Sequence, residues 1–187
     1  MGRKTIVVNI FGSPSAGKST AALGVTYKLK LNGVSCEYAS EVAKDLVWRN
    51  DKESLKNQIK IYGNQYGKIF HLKDKVDVII TDSPAVMGLL YCDWDIVSPK
   101  LKELAIDEFN RDDVINLNYM LKRPDDRPYD PEGREQTKEE AEQKHKDVKA
   151  LLSELGVRVR HLPAQESTVD YIYVEIMKKL DKFLGSE

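Results

Sequence analysis

The chain has 187 residues, enough for one sizeable α/β domain with its own core. Its 29 lysines and arginines nearly cancel 30 aspartates and glutamates, and a net charge of −1 supplies no field that would mark a polyanion-binding or membrane-surface protein. Two cysteines, Cys36 and Cys92, lie far apart with no Cys/His cluster beside them, which argues against zinc or a disulfide framework and for a reduced, cytoplasmic setting.

The first element is an apolar, β-rich run from Thr5 to Phe11, too short for a signal peptide or a membrane span. Directly after it, Gly12-Ser13-Pro14-Ser15-Ala16-Gly17-Lys18-Ser19 fits G-x-x-x-x-G-K-[ST], and Thr20 leads a helical stretch to Lys30. Strand, glycine loop and helix in that order form a phosphate cradle. Glycines let backbone N–H groups turn inward, and the helix N-terminus adds its positive dipole end. Lys18 reaches the outer phosphates and the Ser19 hydroxyl ligates Mg²⁺. Gly12 to Thr20 are therefore the expected nucleotide-binding residues, with ATP and Mg²⁺ the expected cofactors.

Asn32-Gly33 makes a turn into a short strand over 34–38. Helices are expected over 41–50 and over 53–72, the second facing inward through Ile59, Ile61, Tyr62, Tyr66 and Ile69. A third strand covers 76–81, and its near-continuous apolar end fits a parallel strand buried on both faces. Ser83-Pro84 and Ser98-Pro99 each place a cap before a proline, starting helices near 84–91 and 99–109. A fourth strand covers 113–121. The box from Thr137 to Glu140 opens a long helix that Gly156 stops, a fifth strand covers 157–162 and a last helix 168–184. Strands alternating with helices give one α/β domain over 1–187, with a parallel sheet that collects ligands at the carboxyl ends of its strands.

Those strand exits carry the candidate chemistry. Asp82 directly follows the third strand, where a carboxylate can hold Mg²⁺ opposite Ser19. Ser83 and Pro84 follow it, not the water-activating glutamate of ATP-hydrolysing motors, and no Asn-Lys-x-Asp guanine-reading motif occurs. The exit of the second strand offers Glu41, or alternatively Glu37, as a carboxylate that accepts a proton from an acceptor hydroxyl; Lys44 and Asp45 read as a solvated helix face. Gln58 and Gln65 are candidate readers of a base or ribose edge, and 161–164 is a seat for the ATP base. His71, His145 and His161 lack metal-ligand spacing.

Between the fourth strand and the capped helix, residues 122–136 form a proline- and arginine-rich loop of the length expected for a lid. Arg127 and Arg134 are placed to contact phosphate and stabilise transferring charge, and Arg123 to meet substrate. Acidic residues outnumber the cations in this loop, so a solvated charged loop is the plainer alternative.

Through Gly12 to Thr20, Glu41 to Leu46, Thr81 to Pro84 and Arg127 to Arg134, the chain resembles P-loop nucleoside and nucleotide kinases. It is most similar to the phage-type, AAA-like ATPase/kinase group, which is related to the ribosylnicotinamide kinase domain. That resemblance implies a three-layer α/β/α P-loop fold with a five-stranded parallel sheet in the order 2-3-1-4-5, and a cytoplasmic, phage-encoded protein. It implies phosphate binding by Lys18, Mg²⁺ handling by Ser19 and Asp82, an acceptor-side carboxylate at Glu41, and lid arginines at Arg127 and Arg134. The expected activity is Mg²⁺/ATP-dependent phosphoryl transfer to a nucleoside, a nucleotide or a related small acceptor, with no membrane partner. Alternatives are a kinase of a hydroxymethylated base or an end in DNA, and a P-loop ATPase driving a partner. No motif identifying nicotinamide riboside can be matched.

Overall fold

A computed structural model describes residues 4–123 and 138–184. In chain order the elements are β1 (Thr5–Phe11), α1 (Lys18–Leu31), β2 (Cys36–Ala39), α2 (Val42–Trp48), α3 (Lys52–Lys56) and α4 (Gln58–Phe70). They continue with β3 (Val78–Thr81), a 3-10 segment (Ala85–Tyr91), α5 (Lys100–Phe109), β4 (Val114–Lys122), α6 (Lys138–Glu154), β5 (Arg160–Pro163) and α7 (Glu166–Leu184). The expected lid arginines Arg127 and Arg134 lie outside the described residues.

All five strands pair in parallel in the order β2-β3-β1-β4-β5. Every residue of the central β1 is buried, because helices cover both faces of the sheet. Ile6, Val8 and Ile10 pack towards α1 and α7, against Val25, Leu29, Ile172 and Ile176. Phe11 faces the other layer and meets Tyr62, Ala105, Val148 and Leu152 from α4, α5 and α6. The three-layer α/β/α expectation and the strand order both hold.

Asn9 interrupts this apolar pattern in the middle of β1. Its Nδ2 donates to the side-chain oxygens of Asn116 (2.8 Å) and Asn118 (2.9 Å) on β4, so the buried amide is satisfied and ties the two strands in register.

The sequence-based expectations fail where side chains compete for the backbone. The single helix expected over 53–72 is two, broken at Asn57. Asp51 Oδ1 accepts from the Ser54 N–H, and Asn57 Oδ1 accepts from the Lys60 N–H, each at 3.0 Å, so each Asx residue starts a fresh helix. Ile61 and Tyr62 point inward as expected, whereas Ile59 is 57 % exposed. Ser83 does not cap the segment after it; its N–H donates to Thr81 Oγ1 (3.1 Å), and the segment runs as a 3-10 helix. The fifth strand starts at Arg160 instead of Val157. No helix among the described residues is long and apolar enough to cross a membrane.

Ile80 sits fully buried in β3 within the α1–α7 layer. Ile80→Ala is expected to destabilise the fold by about 2–5 kcal/mol. Leu31→Ala, at a 67 % exposed position, should change stability by less than about 0.5 kcal/mol, both read by urea denaturation.

Candidate active site

The carboxyl ends of β1, β2 and β3 lie side by side, and the functional candidates stand on them. The loop after β1 turns tightly enough to admit only particular residues. A Cβ on Gly12 (φ +152°) would lie 3.0 Å from the Leu121 carbonyl oxygen and 3.1 Å from Ala16 Cβ. Gly17 (φ +83°) precedes α1 in the left-handed region, and Ser15 takes φ +60° without being glycine, a local strain that phosphate-binding loops tolerate. Lys18 opens α1, with its Nζ donating to the Ser13 carbonyl at 2.9 Å. Thr20 follows within the first turn of α1 and is exposed.

Ser19 and Asp82, 63 residues apart in sequence, meet here: Ser19 Oγ donates to Asp82 Oδ2 at 2.5 Å. Asp82 is buried, and its other oxygen, Oδ1, has no hydrogen-bond partner among the described residues. A hydroxyl beside a buried carboxylate with one oxygen unused is a donor set for a hard, oxygen-seeking cation such as Mg²⁺ and its waters. The residues present fit the ion.

Tyr38, near the end of β2, belongs to the same cluster, although nothing in its sequence neighbourhood singles it out. Burial above all, then the negative charge of Asp82 and a hydrogen bond to it, raise its phenol well beyond the ordinary tyrosine range. It stays a neutral donor at any working pH. The one available signal was its position opposite Ile80 in the β2–β3 register, which required the sheet to be known.

Beside this cluster a cavity of about 170 Å³ opens between the phosphate loop, α2, α3, α4 and the 3-10 segment. Lys18, Glu41, Lys44, Gln58, Gln65 and Asp82 supply its polar lining, and Val47, Leu55, Ile61 and Met87 much of its apolar wall. The structure thus brings Glu41 to the cavity. Glu37 is exposed and pairs with Lys30 at 2.8 Å, outside it. Arg123 is half-buried at the end of β4 and does not line the cavity.

The two glutamines serve different ends. Gln58 Nε2 donates to the Leu55 carbonyl (2.7 Å), bracing the break between α3 and α4, and its Oε1 lies towards Gly88. Gln65 braces the backbone instead, with Oε1 accepting from the Val42 N–H (2.9 Å) and Nε2 donating to the Ser40 carbonyl (3.3 Å). These two bonds hold the chain on either side of Glu41, so Gln65 positions the backbone there while also lining the cavity. Lys68 adds bonds to the Ser40 carbonyl and hydroxyl, each 2.9 Å. Sequence reading also passed over Lys44 and Tyr62 as cavity residues, because a helix face becomes a wall only after packing.

The model of the family described as "AAA domain" matches residues 7–168. The chain belongs to this AAA domain family. No curated protein matches it. Among solved structures it is similar to NadR protein in complex with NR, with TM-score 0.64 and 16 % identity, covering 90 % of this chain and 51 % of that one. It spans about half the length of that protein. Thymidylate kinase from Ehrlichia chaffeensis has TM-score 0.58 and 12 % identity, covering 95 % of this chain and 99 % of that one. Deoxyadenosine kinase from M. mycoides, with products dCMP and dCDP, has TM-score 0.52 and 17 % identity, covering 95 % and 100 %. These likenesses establish a P-loop nucleoside/nucleotide kinase-like fold.

Gln65→Leu should lower stability by about 1–3 kcal/mol, because the Val42 N–H and Ser40 carbonyl lose a partner beneath the packed α4. Thermal denaturation checks the stability, and calorimetric titration with Mg²⁺-ATP should show that the phosphate loop is little affected.

Proposed function

We propose that this protein is a Mg²⁺/ATP-dependent phosphotransferase acting on a nucleoside, a nucleotide or a related small acceptor. One observation carries the reading. The phosphate loop does not end in open solvent: Lys18 and Asp82 share a single cavity with Glu41, Gln58 and an apolar wall, leaving room beside the donor grip for a second substrate. A partly apolar pocket beside the γ-phosphate offers room for an acceptor other than bulk water, and that favours transfer over hydrolysis. The names of the structural neighbours, a thymidylate kinase and a deoxyadenosine kinase, support the same reaction class.

In this reading the backbone N–H groups of Gly12 to Ser19 hold the triphosphate, and Thr20 completes the loop's entry into α1. Ser19 and Asp82 would hold Mg²⁺, which when bound neutralises charge on the phosphate oxygens. Lys18 exchanges its bond to the Ser13 carbonyl for the outer phosphates. Tyr38, a neutral phenol beside Asp82 and Ser19, keeps a second negative charge away from the ion's ligands. Glu41 faces the acceptor and holds its hydroxyl, taking the proton where that hydroxyl is the group phosphorylated. The apolar wall excludes water, which would compete as acceptor. Arg127 and Arg134, outside the described residues, are assigned to phosphate contact, and Arg123 to the substrate.

The second reading is an ATPase that drives a partner, which the AAA domain family description keeps in view. The two readings part in one assay: transfer from labelled ATP to a panel of nucleosides, nucleoside monophosphates and DNA, with a no-acceptor control. A phosphorylated small-molecule product is expected; hydrolysis that ignores every acceptor would favour the ATPase. Lys18→Ala should cut transfer by at least about 10²-fold while circular dichroism stays unchanged. Undiminished transfer in that variant would sink the site assignment.

A further inference from the structure

One charge in the cavity wall is not paired off as on an ordinary helix surface. Glu41 sits at the cap position of α2 and Lys44 follows three residues later, the spacing at which a carboxylate and an ammonium close on each other on a solvated face. Glu53 and Lys56, at the same spacing on α3, do so at 2.9 Å. Lys44 instead is half-buried in the cavity wall and has no hydrogen-bond or ion-pair partner among the described residues. The Glu41 carboxylate makes no capping bond to α2 either, so its position at the helix end is not explained by capping. An ammonium partly withdrawn from water beside Val47 and Leu55 is costly until an anion meets it.

We infer that Lys44 holds an anionic group of the acceptor, and that the acceptor is a nucleoside monophosphate in preference to a nucleoside. This rests on the kinase reading above and narrows it. A lysine suits the purpose, since it meets phosphate as a compact point charge. The rest of the cavity matches the remainder of a nucleotide. Apolar side chains from α2, α3 and α4 offer a face for a planar base. The Gln58 amide, with one N–H on the Leu55 carbonyl, has an oxygen that can accept from a base N–H.

The chemistry balances without a further reactant. An oxygen of the acceptor phosphate attacks the γ-phosphorus, and the bond from that phosphorus to the β,γ-bridging oxygen breaks. ADP leaves with the electron pair, and the other product is a nucleoside diphosphate. A dianionic phosphate needs no proton removed, so Glu41 acts here as a positioning residue on a sugar hydroxyl.

Steady-state kinetics on the full chain with Mg²⁺-ATP test this, using common ribo- and deoxyribonucleosides and their 5′-monophosphates as paired acceptors. Wild type should convert at least one monophosphate to the diphosphate with kcat/KM at least about tenfold above its nucleoside. Lys44→Met should raise the monophosphate KM by about 10- to 100-fold and leave the KM for ATP unchanged, the loss expected for one charge-assisted contact. Lys44→Arg should recover most of it. Efficient transfer to nucleosides, unaffected by Lys44→Met, overturns the inference and leaves the kinase reading standing. A rise in the KM for ATP instead assigns Lys44 to the donor and also overturns it. No transfer from wild type to any acceptor overturns both readings.

Discussion

The hydrogen bond from Ser19 to Asp82 joins the start of α1 to the end of β3, and the site is organised around it. Each residue is placed locally, and the sheet brings the two together. Ser19 is fixed because the loop behind it can turn only with glycine at positions 12 and 17, and Asp82 because β3 lies hydrogen-bonded against β1 from Val78 to Thr81. Parallel pairing places both chain exits on the same edge of the sheet. The bond also occupies one carboxylate oxygen and leaves the other buried with no partner among the described residues, which is why a cation of high charge and oxygen preference suits the place. Tyr38 reaches the cluster from β2, so three adjacent strands contribute to one small polar centre inside an apolar sheet.

The cavity wall is built differently, from helix breaks instead of strand ends. Asp51 and Asn57 divide what would have been one long helix, and the resulting turn lets α3 contribute Leu55 to the wall while α4 contributes Gln58 and Tyr62. Gln65 then clasps the backbone on both sides of Glu41, through its oxygen to Val42 and its nitrogen to Ser40. A buried amide satisfied at both ends holds its partners firmly, because moving either one would strand a polar group away from water. Glu41 is thus oriented by a residue two turns along α4 from Gln58, one that acts only through the backbone.

Much of this was legible in the sequence. The glycine loop announces itself because its geometry admits few residue types, and Asp82 follows an apolar strand at the place where such sheets bind ligands. The parallel order of the sheet and its burial on both faces follow from continuous apolar strands alternating with helices. What stayed hidden depended on partners distant in sequence. Asn9 reads as an interruption of a core strand until Asn116 and Asn118 arrive across the β1–β4 ladder. Gln58 and Gln65 look alike along one helix face, yet one bonds the Leu55 carbonyl at the helix break and the other clasps the backbone beside Glu41.

The sequence by itself determined the donor half: a loop whose backbone turns only with particular glycines, a lysine and a hydroxyl at its end, and a carboxylate at a strand exit. Those are local constraints, set by dihedral freedom and by position along an element. Tertiary structure alone decided the cavity beside it. Separating Glu41 from Glu37 took the fold, which leaves Glu37 on the surface with Lys30 and brings Glu41 into a cavity. Lys44 reads as a solvated charge on its own helix and becomes a wall residue only when α3 and α4 close beside it. Burial and the choice of partner are properties of packing, and packing is not written at any single position.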